Sequence, residues 1–152
     1  MKYLRYIILL ALFIGMVLWL NKHNDEDIAK SEKLLHNGIK FSGEVINTKV
    51  SNNHAFGIIY LKLKSTNTTK FIKSAPKAEF PYRINGDKAE LYTTIGDGLA
   101  PGDSISVISD SVRAIFYQLK SRQKYESFIE VIKDPFNIEF INDNNFIKVP
   151  NR

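Results

Sequence analysis

Ile39-Lys40-Phe41-Ser42-Gly43-Glu44-Val45 alternates apolar and polar side chains with a period of two. That is the signature of a strand with one face in a core and the other in water. The same period recurs downstream. Ser51–His54 reads as a turn into a strand over Ala55–Lys64, with Ile59, Leu61 and Leu63 inward and Tyr60, Lys62 and Lys64 outward. Ser65–Thr68 turns into Thr69–Ser74, and the three strands are expected to form a meander.

Further along, Pro76 and Pro81 argue against central strands, because proline has no N–H for a ladder. Asn85-Gly86 marks a tight turn between Tyr82–Ile84 and Lys88–Ile95. Gly96–Asp103 is a glycine-rich connector, followed by expected strands at Ser104–Ser109, Val112–Lys120 and Ser127–Lys133. Asp110-Ser111 and Ser121–Lys124 would join them. Val112–Lys120 also fits helical spacing, but its β-branched and aromatic content favours a strand. After Asp134-Pro135, Phe136–Ile141 and Phe146–Val149 read as a closing hairpin around Asn142–Asn145. Six to eight short strands at this spacing predict a mainly β fold, a small antiparallel barrel of OB or SH3-like type or a sandwich.

Upstream, the character changes. Tyr6–Leu20 (YIILLALFIGMVLWL) is unbroken apolar sequence, and Tyr3 and Leu4 extend it past Arg5. Eighteen residues at about 1.5 Å each span roughly 27 Å, close to a hydrocarbon core of about 30 Å. Arg5 lies where its side chain would snorkel, and Tyr3, Tyr6 and Trp19 suit the two interfaces. No pair of small residues follows the run closely enough for signal cleavage, so an uncleaved signal anchor is expected. Asn24 reads as the cap of a stalk helix, with Asp25, Glu26 and Asp27 in its first turn and Asn37-Gly38 as its stop. One helix running from the apolar segment through His36 fits equally well. The expected organisation is therefore a single-pass transmembrane anchor at 1–22, a helical stalk at 23–38 and a β-domain at 39–149. Lys2 and Arg5 favour a cytoplasmic N-terminus, which puts the domain outside the cytoplasm at the inner membrane.

Composition narrows the functional classes. The chain of 152 residues has no cysteine, which removes disulfides, thiolate catalysis and thiolate metal sites together. Of twenty-one Lys and Arg, Lys2, Arg5 and Lys22 flank the apolar run, leaving eighteen against sixteen Asp and Glu. A nucleic-acid-binding domain usually carries a clearer basic excess. Charge is nevertheless uneven, with seven Lys and Arg between residues 62 and 88 against Glu79 and Asp87.

No catalytic motif is present. His23, His36 and His54 are the three histidines, none placed beside a nucleophile or spaced as metal ligands. The glycine-rich connector lacks the Lys and Ser/Thr of a phosphate loop, and Asp97 and Asp103 do not match a calcium loop. No cofactor is implied. One local pattern stands out: Tyr60, Lys62, Lys64, Lys70, Phe71, Lys73, Lys77, Phe80, Tyr82 and Arg83 interleave rings and cations. On a barrel surface such a face stacks bases and pairs phosphates, or meets an acidic protein or anionic headgroups. Lysines that merely solvate strands and guard their edges give the same pattern. The candidate binding face is Tyr60, Lys62, Lys64, Lys70, Phe71, Lys73, Tyr82 and Arg83.

Ser42-Gly43-Glu44-Val45, Ile58–Leu63 and Pro101-Gly102-Asp103-Ser104-Ile105 resemble small uncharacterised bacterial proteins of the Bacteroidetes type, which pair a membrane anchor with a compact β-domain. In that group a G-D-S-[IV] turn introduces a strand, and the resemblance implies no activity. The reading that results is a membrane-anchored, non-enzymatic binding or assembly domain at the cell envelope with a possible envelope protein partner. An anchored nucleic-acid-binding barrel and an envelope hydrolase using carboxylates are the alternatives.

Overall fold

The sheet is built outward from its longest strands, β1 (Lys40–Val50) and β2 (Phe56–Thr66), which pair antiparallel. The computed structural model describes residues 2–75 and 77–148. Two short pieces, β3 (Lys70–Phe71) and β4 (Ser74–Ala75), lead to β5 (Ala78–Glu79), and β6 (Tyr82–Asn85) and β7 (Lys88–Thr94) form a hairpin. β8 (Ser104–Ile108), a short 3₁₀ turn, β9 (Arg113–Gln118) and β10 (Gln123–Phe128) follow. The eight-stranded sheet runs β10-β9-β8-β1-β2-β7-β6-β3, with every neighbouring pair antiparallel. β10 and β3 are its edges and do not pair, so the barrel is open.

Alternation puts Phe41, Val45, Ile59, Leu61, Tyr82, Ile84, Leu91, Ile105, Val107 and Phe116 in one core inside the curl. Register shifts place one bulge in β2 at Lys64, opposite Ser42/Gly43, and one in β1 at Ile46, and bulges bend a strand and increase its twist. Backbones approach closely at Gly57, where a Cβ would run into the Lys49 carbonyl and lie 2.6 Å from Ile95 Cδ1.

The N-terminal unit is Met1–Leu34 and the second is Leu35–Arg152. Helix α1 (Lys2–Leu35) is continuous, so no second helix starts at Asn24; the capping side chains expected at Asn24–Asp27 lie outside the described residues, as does that of Arg5. From Ile8 to Trp19 every side chain is exposed. Among the described residues no helix is long and apolar enough to cross a membrane, which overturns the expected single-pass transmembrane anchor.

Leu35 is buried, its carbonyl accepts from the Ser109 hydroxyl at 2.5 Å, and Gly38 takes a left-handed φ of 74°. The Tyr82 hydroxyl joins Ser109 Oγ at 2.6 Å and Asn37 Nδ2 at 2.9 Å, so the buried hydroxyls of Tyr82 and Ser109 are both hydrogen-bonded.

Three further expectations are corrected. β3 is only two residues and pairs with β6, not β2, so the meander stops after two strands; Pro76 lies outside the described residues. β10 begins at Gln123, four residues before the expected strand, because the turn falls at 119–122 with Arg122 left-handed. Ile129, Val131 and Ile132 then run on as a buried tail with a single bridge to Glu79.

The closing hairpin is instead helix α2 (Pro135–Asn144), capped by Asp134 Oδ1 accepting from Asn137 N at 3.0 Å, with Pro135 in the first turn. Proline there has no N–H to leave unpaired. Ile138, Phe140 and Ile141 pack on Phe56, Ile58, Tyr60 and Tyr92 to form a second core outside the sheet. Val149, the expected strand end, lies outside the described residues.

Gly57→Ala should destabilise the domain by about 1–3 kcal/mol, because carbonyl backbone rather than a flexible side chain blocks the new methyl. Urea denaturation checks this, and an unchanged midpoint would show that β1 and β2 separate more easily than the packing indicates.

Candidate binding surface

The interleaved rings and cations divide between the inside and the outside of the sheet. Phe71, Phe80 and Tyr82 lie in the main core, where Phe71 contacts both other rings at centroid distances of 5.2 Å. Tyr60 is buried beneath α2, donating its hydroxyl to the Asn144 carbonyl at 2.7 Å. Arg83 is 1% exposed. Lys62, Lys64, Lys70, Lys73 and Lys77 are exposed, and Lys73 lies over the Phe71 ring at 5.5 Å. The proposed face therefore loses its rings and keeps its lysines. The outward placement of Tyr60 failed because α2 covers that part of the outer sheet.

The part of the outer face that α2 leaves uncovered has a regular composition, read directly from the register. One row runs Lys62, Glu44, Ser104, Tyr117, Lys124 across β2, β1, β8, β9 and β10. The next runs Ser42, Ser106, Ile115, Glu126, and the third Lys40, Ile108, Arg113, Phe128. Ser42, Ser104 and Ser106 are half-buried small residues at its centre, while Phe128 is 71% exposed at its margin. Lys64 pairs with Glu44 at 3.0 Å and Arg113 with Glu126 at 2.7 Å. Both acids of the face are thus neutralised, and Lys40, Lys62 and Lys124 set its sign as positive.

A second polar cluster lies under the covered half. Arg83 Nη2 is 3.1 Å from Glu79 Oε2, and Arg83 Nη1 donates to the Ile147 carbonyl at 3.0 Å. Glu90 Oε1 accepts from Phe146 N at 2.6 Å and Ile147 N at 3.2 Å, while its Oε2 accepts from the Tyr92 hydroxyl at 2.5 Å. The charges thus hold the backbone that follows α2 against β6 and β7. Satisfaction is incomplete: Glu79 Oε1 and Arg83 Nε have no hydrogen bond, and the Arg83 Nη2 contact is an ion pair without hydrogen-bond alignment. Burial pushes the Glu79 carboxyl above its ordinary 4.5, with Arg83 pulling against it, and burial followed by the Glu90 charge pushes the Tyr92 phenol up.

The remaining sequence candidates have structural roles or none. Asp103, of the Gly-Asp-Ser turn, accepts from Ala100 N and Leu119 N, both at 2.8 Å, so its carboxylate is taken by backbone. His36 and His54 are exposed, and the His23 side chain lies outside the described residues. Among the described residues no group of acids and histidines is placed to hold a metal. A surface groove of about 570 Å³ beside α2 has Glu139 as the single carboxylate in its lining. Compared with known proteins, the chain matches no family model, no curated protein and no solved structure.

Arg83→Met would leave the buried Glu79 carboxyl without its cation and the Ile147 carbonyl without its donor, and should cost about 3–5 kcal/mol in a denaturation experiment. Glu79 gives a pH dependence of known sign. Its raised folded-state value means that the native chain holds the proton more tightly than the unfolded chain does. Its contribution is therefore complete below about pH 4.5 and is lost as pH rises through the folded value. Glu79→Gln should flatten that fall in urea midpoints measured from about pH 4 to pH 8. An unchanged pH profile would count against the assignment.

Proposed function

We propose that the chain is a non-enzymatic binding domain of the cell envelope, held at a lipid surface through α1, that receives an anionic partner on the open outer face of β1, β2 and β8–β10. The observation that carries this reading is the unequal treatment of one sheet. α2 covers the outer face of β2 and β7 with an apolar core, while the adjoining outer face carries serines in the middle and cations and rings at the edge. Small side chains at the centre of a sheet face leave a shallow trough for another surface, and the uncompensated lysines select a negative one. An attachment role for α1 rests on its exposed apolar run from Ile8 to Trp19, which a lipid surface would cover. Within this reading the open sheet is a barrel-like module of the OB or SH3 kind.

The alternatives have less behind them. Base stacking was assigned to Tyr60, Phe71 and Tyr82, and those rings are interior. Carboxylate hydrolysis needs acids facing a substrate, and Glu79 and Glu90 instead face Arg83 and main-chain N–H groups.

A photo-crosslinking phenylalanine analogue at Phe128, on the open face, should give one discrete adduct in cells. The same analogue at Phe136, on the exposed side of α2, should give none, and Ser106→Arg should abolish the Phe128 adduct by filling the trough. Absence of an adduct at Phe128, or one indifferent to Ser106→Arg, would refute the binding-face assignment.

A further inference from the structure

The turn joining β9 to β10 is built to hold an apolar side chain out among cations. Leu119 is 62% exposed at its tip, with Tyr117 exposed on the strand below it. Lys120, Arg122 and Lys124 are all exposed, and no acid occurs between Gln118 and Tyr125. An unconstrained loop would fold Leu119 back over apolar surface, and this one is fastened against doing so. Leu119 N donates to the buried Asp103 carboxylate at 2.8 Å. The Ser121 hydroxyl donates to Gln118 Oε1 at 2.8 Å, and Gln118, itself buried, donates to the Asp97 carbonyl at 3.0 Å. Arg122 occupies the left-handed region at φ 57°, where a residue other than glycine is strained unless its surroundings fix it.

We propose that this hairpin tip docks on an anionic lipid surface, with Leu119 entering the headgroup layer and Lys120, Arg122 and Lys124 meeting the lipid phosphates. The cations alone would suit any polyanion. The exposed leucine between them favours lipid over a simple polyanion, because a polyphosphate chain has no apolar surface to cover it, whereas the acyl boundary does. The site adjoins the open face and shares Lys124 with it, but uses none of the central serines. It also requires nothing of α1, whose attachment to lipid is a different claim.

The absence of cysteine allows a direct test on the full chain. A polarity-sensitive fluorophore is placed at Gln123→Cys, beside the tip, and for comparison at Ser111→Cys, at the other end of β9. Phosphatidylglycerol-containing vesicles should shift the Gln123→Cys emission to the blue and leave Ser111→Cys unchanged. Pure phosphatidylcholine vesicles should leave both unchanged. The shift should disappear at about 0.5 M salt, as expected for contacts screened within a few ångströms. It should also be lost in the Lys120→Gln, Arg122→Gln, Lys124→Gln variant and reduced in Leu119→Ser. All of these substitutions lie on exposed side chains, and circular dichroism checks that they leave the fold intact. No shift on anionic vesicles, or an equal shift on neutral ones, would overturn the proposal. So would the same shift produced by polyphosphate without vesicles, which would indicate a general anion site. Flotation of the chain with neutral vesicles reads the α1 attachment independently, so either claim can fail without the other.

Discussion

β1 is hydrogen-bonded along both edges, to β2 between Phe41 and Val50 and to β8 over Lys40–Glu44, and it joins the two halves of the eight-stranded sheet. Its bulge at Ile46 and that of β2 at Lys64 prevent a flat sheet. A flat eight-stranded sheet would need two separate layers to cover its faces, whereas a curled one needs a single core and leaves only its convex side to be dealt with. Gly43 and Gly57 belong to that constraint: a Cβ at Gly43 would sit 2.7 Å from the Lys62 carbonyl, so the curl depends on two positions without side chains.

The convex side is treated in two ways. Over β2 and β7 it is closed by α2 and by the backbone of Phe146 and Ile147, and the closure is partly ionic. Arg83 and Glu90 are paired across the β6–β7 hairpin and recognise main-chain groups, so they fix where the chain runs rather than which side chains it brings. Buried charges are a costly way to fasten a segment, since desolvation offsets much of the Coulomb attraction. Their return is directional: apolar contact alone would let the segment after α2 slide, whereas two N–H groups and a carbonyl held by two side chains admit a single register.

The sequence disclosed the strands it could disclose through local pattern. Asn85-Gly86 announced the β6–β7 hairpin, and the alternation at Ile39–Val45 and Ser104–Ile108 announced β1 and β8. The same hairpin register would have set Arg83 opposite Glu90, a buried pair in principle legible from the turn. What no local pattern carried was the covering of one half of the outer face. Tyr60 and Arg83 alternate as outward residues should, and only α2 and the segment after it make them interior. α2 itself was missed although Asp134-Pro135 is a helix start, because Phe136, Ile138 and Phe140 also alternate at the strand period. The candidate face failed for the same reason: adjacency in sequence placed rings with cations, and the pleat then sent Phe71 and Tyr82 inward while Lys62 and Lys64 stayed out.

The open half of the convex side differs from the covered half in kind and not only in degree. Strand surfaces that merely face water gain from β-branched or long polar residues, which shield the backbone and pack across strands. Ser42, Ser104 and Ser106 do neither, and Ser42 and Ser106 stand directly opposite each other in the middle of the sheet. Selection for stability alone would fill such positions. The exposed Phe128 at the edge and Leu119 at the adjoining turn are unfavourable in water for the opposite reason, being too large and too apolar. A surface that is underfilled at its centre and apolar at its margin makes physical sense when something else completes it.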